Sequence, residues 1–117
     1  LNLFLKSTEV QSNKGIPMAE KILLSLDKKL KKIIPGFLEN RQKDLNDLNV
    51  AIKEKSFKKI EQIGHQLKGS AGSYGFITLS HLGNDLEYAA QHENINDANL
   101  VIAKISEHLK LLEIDYE

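Results

Sequence analysis

His65 and Lys68 stand three residues apart, with Gly69 and Gly72 close behind, in the stretch His65-Gln66-Leu67-Lys68-Gly69-Ser70-Ala71-Gly72-Ser73-Tyr74-Gly75-Phe76. A neutral imidazole is a competent nucleophile near neutral pH, because its pKa lies close by. Attack on phosphorus gives a phosphoramidate, which can hand its phosphoryl group onward. Such transfer asks chiefly for positioning and charge neutralisation. A lysine supplies a flexible point charge for the phosphoryl oxygens. The glycines carry a cost, since Gly inside a helix loses about 1 kcal/mol against Ala. Gly64, Gly69 and Gly72 therefore need another reason. Small residues beside a solvent-facing imidazole let a bulky partner approach it.

The helix that must carry this pair reads from Ser56, a good N-cap, through Phe57, Ile60, Gly64, Leu67, Ala71 and Tyr74. Those residues recur at spacings of three and four and form the core-facing seam. His65, Lys68, Gly72 and Glu61 fall roughly 80–160° round from the middle of that stripe, and Gly69 shares the outer side. Lys68 and Gly69 adjoin the imidazole directly, being three and four residues on. Gly75 is placed to end the helix, where C′ often needs a positive φ.

Around it, other stripes follow. Pro17 marks a helix start, continued by Ile22, Leu23, Leu26, Leu30, Ile33 and Ile34. Pro35-Gly36 interrupts that pattern, as a kink or as a new helix. Phe37, Leu38, Leu45, Leu48 and Ile52 then carry a helix to about Lys53. After the His65 helix, Thr78 or Ser80 caps the next, with Leu79, Leu82, Leu86, Ala89 and Ala90 inward. Asn96 or Asp97 opens the last, with Val101, Ile102, Ile105, Leu109 and Leu112 inward. No segment alternates as a strand does, and no internal repeat is visible. The expected fold is all-α, an antiparallel up-and-down four-helix bundle over 18–117. Residues 1–17, with the apolar cluster Leu1, Leu3, Phe4 and Leu5, read as an additional N-terminal arm, linker or helical element.

Composition narrows the function. The chain has 117 residues, room for one domain and one core. Its formal net charge of zero gives no general attraction to nucleic acid or to an acidic membrane. With no cysteine, disulfide and thiolate chemistry are excluded, which suits a reducing cytoplasmic setting. Apolar runs are too short to span a bilayer, and no secretory signal is visible. The first residue is Leu1 rather than Met, as in a piece of a longer protein whose parent could be membrane-anchored.

Residues 65–76, read as His-x-Leu-Lys-Gly-Ser-Ala-Gly-x-x-Gly-Phe, resemble the signature of histidine phosphotransfer (HPt) domains of two-component phosphorelays. Pro35-Gly36-Phe37-Leu38 upstream and Leu79-x-x-Leu-Gly-x-x-Leu-Glu downstream are similar to the family as well. The resemblance implies a four-helix bundle that carries a phosphoryl group on His65. It would be a carrier without its own nucleotide site rather than an enzyme. The partners implied are response-regulator receiver domains and a sensor histidine kinase. The Mg²⁺ of the exchange would belong to the receiver, so no metal or cofactor is expected here. By the same resemblance, Lys68 matches the motif lysine and Gly69 the small residue beneath the imidazole. Glu87 falls where relatives carry a polar residue bonded to the ring, and Gly64 and Gly83 stand where alanine is common. A partner would dock beside His65, at an apolar edge formed by Ser73, Tyr74, Phe76 and Ile77.

Two other functions fit the same residues: a receiver-binding adaptor that carries no phosphate, and the related P1 domain of chemotaxis-type kinases. The intact His65–Lys68 pair speaks against the adaptor. His81, His92 and His108 are scattered and read as exposed, with no spacing suited to a metal site. Lys28, Lys29, Lys31 and Lys32 read as a solvated helix face rather than a nucleic-acid patch.

Overall fold

Pro35 begins a helix instead of bending one. In a computed structural model describing residues 21–117, α1 spans Ile34–Glu54 with Pro35 in its first turn, where the missing N–H has no partner to lose. α2 spans Phe57–Ser73, α3 Ile77–Gln91 and α4 Ile95–Leu111. Lys55, in a left-handed conformation with φ 54°, closes α1. Gly75, with φ 90°, makes the turn after α2. Sequential helices run antiparallel: Arg41 of α1 meets Ser70 of α2, while Glu61 and Ser80 tie the two ends of α2 to α3. The described residues form the expected four-helix bundle.

Two helix starts differ from expectation. α3 begins directly after Phe76, so neither Thr78 nor Ser80 caps it. The Ser80 hydroxyl instead donates to the Lys68 carbonyl at 2.7 Å, across to α2. α4 is capped by Asn94, whose Oδ1 accepts from the Asp97 N–H at 3.0 Å. That bond satisfies one of the donors a helix start leaves open. Asn94→Ala is expected to cost about 1 kcal/mol, read as a lower urea midpoint at unchanged m-value.

The largest departure is a ribbon of two parallel strands. β1 (Ile22–Leu26) pairs with β2 (Leu112–Tyr116), Ile22 opposite Leu112 and Leu26 opposite Tyr116. The stripe taken for a helix thus alternates as a strand: Leu24 and Leu26 turn inward, while Leu23 is 75% exposed. Leu112, expected inside the last helix, belongs to β2. A 3-10 turn over Lys28–Leu30, capped by the Asp27 carboxylate, leads towards α1. Lys28, Lys29, Lys31 and Lys32 are exposed on this turn and the residues just after it, not on a helix face. The Leu1–Leu5 cluster and the start at Pro17 lie outside the described residues.

The core draws on every element. Ile34 and Leu48 of α1, Ile60 and Leu67 of α2, and Leu79 and Leu86 of α3 are nearly or wholly removed from solvent. At one end Phe37 stacks on Phe76 with centroids 4.8 Å apart, and Tyr74 meets Phe37 edge-on at 5.4 Å. Arg41 lies over the Phe37 ring, donates to Asp44 at 2.8 Å and reaches the Ser70 hydroxyl at 3.1 Å, joining α1 to α2.

His108, expected exposed, is buried between α4, α3 and β1. Its spacing of three from buried Ile105 places it on the inner face of α4. Burial pushes its pKa below the ordinary histidine value. The folded state therefore favours the neutral ring, and on acidification the unfolded chain takes the proton first. The resulting stability is complete above the ordinary value of about 6.5 and is lost as pH falls towards the lowered native one. Thermal melting should drop as pH falls below about 6.5, and His108→Leu should flatten that fall.

Candidate functional site

Antiparallel packing of α2 on α3 sets Glu87 opposite His65, one turn before Lys68 on the facing helix. The His65 ring projects outward with its side chain 67% exposed, whereas the Glu87 side chain is 14% exposed in the seam. Glu87 is a bridge. Its Oε2 lies 3.0 Å from His65 Nδ1, and its Oε1 lies 3.0 Å from Lys68 Nζ. Lys68 Nζ also donates to Asn84 Oδ1 at 3.3 Å.

The charges fix the proton. The hydrogen bond from Lys68 is the main influence holding the Glu87 carboxyl below its usual range; desolvation opposes it, and the contact with His65 adds to it, so that together they keep it low. At neutral pH the carboxylate is ionised and can only accept, so Nδ1 is the donor. Nε2 then holds the lone pair, on a ring that is two-thirds exposed. What this arrangement contributes to stability is complete above the ordinary glutamate range and is lost as pH falls through the lowered native value.

The glycines divide differently from expectation. A methyl group on Gly69 would meet nothing within 4 Å, so the space beside Lys68 is open. On Gly72 it would lie 3.2 Å from Ser80 Oγ. Gly72, itself exposed, therefore also makes room for Ser80 of α3. Gly64 and Gly83 are buried at the crossing of the two helices, where no Cβ fits. They are not interchangeable with alanine here.

The expected docking edge also divides. Ser73 is exposed, and its hydroxyl donates to the Gly69 carbonyl at 2.9 Å. Ile77 is 58% exposed. Tyr74 is half-buried against Phe37. Phe76 is 1% exposed and stacked inside the core, so it offers nothing to a partner. A chain leaving a helix through Gly75 turns inward at once, which a reading of Phe76 as part of an apolar edge does not capture.

The sequence reading does not single out Asn84, and it gives Ser80 only as a helix cap. Asn84 precedes Glu87 by three residues and shares its helix face, a spacing that could have marked it. Among the described residues, no three histidine, aspartate or glutamate side chains converge as a metal site would require. Nor, among them, is any helix long and apolar enough to cross a membrane.

An outward histidine, a carboxylate on its inner nitrogen and a lysine one turn on are thus brought together on the α2–α3 face of a four-helix bundle. The Hpt domain family model matches residues 32–114, most of the chain, and the chain belongs to that family. The matched span begins after β1 and ends within β2, so all of β1 and the end of β2 lie outside it. Neither the curated proteins nor the solved structures searched contain a significant match. Hpt domains are phosphocarrier modules of two-component phosphorelays, and as a family they interact with response-regulator receiver domains and kinases.

Proposed function

We propose that His65 is the phosphoryl acceptor of this domain, taking the group from a receiver aspartate or a kinase and passing it to another receiver aspartate. The observation that carries the reading is the Glu87 contact on Nδ1 of a ring two-thirds exposed. In the transfer, the Nε2 lone pair attacks the phosphorus of an aspartyl phosphate. The N–P bond forms as the P–O bond to the aspartate breaks, and the electron pair leaves on that carboxylate. No proton has to move. The ring becomes a phosphoimidazolium that keeps its Nδ1 proton, and its positive charge faces the Glu87 carboxylate. Transfer to the next receiver runs the same steps in reverse.

Lys68, part-exposed and one turn from His65, is the cation within reach of the phosphoryl oxygens. Open space at Gly69 leaves room for a receiver's active site, which would bring the Mg²⁺. Ser73, Ile77 and the outer edge of Tyr74 would form part of the docking face. The test is incubation with a radiolabelled phospho-receiver and Mg²⁺. Acid-labile label on this chain is the expected result. Binding of the receiver without transfer would overturn the reading in favour of an adaptor.

A further inference from the structure

The three polar residues of the site come from two helices, and their separation is set by the backbone. Gly64 precedes His65 on α2, and Gly83 lies one turn before Glu87 on α3. A Cβ on Gly64 would lie 2.8 Å from the Glu87 amide nitrogen, 3.2 Å from Glu87 Cα and 2.9 Å from the Gly83 carbonyl oxygen. On Gly83 it would lie 2.6 Å from the Lys68 amide nitrogen, 3.1 Å from Lys68 Cα and 2.9 Å from the Gly64 carbonyl oxygen. The contact is reciprocal. Each glycine rests on the main chain of a functional residue on the opposite helix.

We propose that Gly64 and Gly83 are positioning residues for the imidazole, a bare-backbone crossing that brings the Glu87 carboxylate within reach of His65 Nδ1. This rests on the phosphoryl-acceptor reading for its functional consequence, though not for its geometry. The three atoms nearest a new methyl group at each position are main chain, and none of them can rotate aside. Relief has to come from moving α3 off α2, by about 1 Å to restore ordinary contact. A hydrogen bond at 3.0 Å does not survive that displacement unless the side chains re-reach, since beyond about 3.5 Å it no longer counts as one. Glu87 is poorly placed to re-reach, because its other oxygen is held by Lys68. Without the carboxylate, Nδ1 loses the partner that selects its protonated tautomer. The proton then redistributes to Nε2, the nitrogen that has to attack.

The test reads the tautomer of His65 by long-range proton–nitrogen NMR in the full chain, alongside the rate of labelling by a phospho-receiver. Wild type should show mainly Nδ1–H. Gly64→Ala and Gly83→Ala should shift the ring towards Nε2–H and slow labelling on the order of tenfold. Gly36→Ala is the control, because a methyl group there meets nothing within 4 Å and Gly36 belongs to α1, which takes no part in the crossing. A wild-type tautomer in either folded crossing variant would overturn the proposal. Should neither variant remain helical, Glu87→Asp carries the test. It withdraws the carboxylate by one methylene and leaves the crossing untouched, so an unchanged tautomer and rate would be equally fatal. If wild type takes no label at all, the acceptor reading falls, and the tautomer measurement still decides the role of the glycines.

Discussion

His65→Gln should reduce labelling by a phospho-receiver to background while leaving the melting temperature within a degree or two of wild type. The amide of glutamine can still meet Glu87, but it has no nucleophilic nitrogen, so the N–P bond cannot form. The fold should be indifferent, because the ring is two-thirds exposed and its only hydrogen bond among the described residues is to Glu87. Exposed polar substitutions of this kind fall within about 0.5 kcal/mol. Labelling and circular dichroism on the same sample separate the two effects. Label persisting on the variant as an acid-labile adduct would sink the assignment of His65.

Phe76→Ala should produce the opposite pattern. Its ring is 1% exposed and stacks on Phe37 at 4.8 Å, beneath the turn made by Gly75. Truncating a buried phenylalanine costs about 3–5 kcal/mol. A domain of this size holds only about 5–15 kcal/mol in total, so the urea midpoint should fall steeply. Ile77→Ala, one residue on but 58% exposed, should barely move that midpoint. It should weaken receiver binding if Ile77 is on the docking face. Equal destabilisation by the two variants would show that the core does not end where the structure puts it.

Much of the bundle is written in apolar spacing that a helix cannot misplace. Ile60, Leu67 and Ala71 share one face at spacings only a helix reconciles, and the same spacing turned His65 outward before any neighbour was known. Ile22–Leu26 was ambiguous for a physical reason. Residues four apart lie on one face of a helix and also on one face of a strand, and five residues are too few to separate the two periods. What decided it was Leu112–Tyr116, some ninety positions away and supplying the other half of the ladder. The glycines taught a related lesson. Their cost to a helix is visible locally, but the compensation at Gly64 and Gly83 lies in the main chain of another helix. His108 likewise gives no local sign of its burial, which depends on residues of β1 far off in the sequence.

The ribbon also determines how the domain would bear tension. Its strands are parallel, so Lys21 leads into one end and Glu117 leaves from the other. Force drawn through the chain at those two residues would act along the strands. The ladder bonds would then be sheared together rather than peeled one at a time. With Lys28 N–H bonded to the Glu117 carbonyl and Glu117 N–H to the Leu26 carbonyl, the load has a path that bypasses the helices. A pull that reaches the bundle from neighbouring parts of a protein would be taken up by the ribbon first, and the spacing between His65 and Glu87 would be shielded until it gave way.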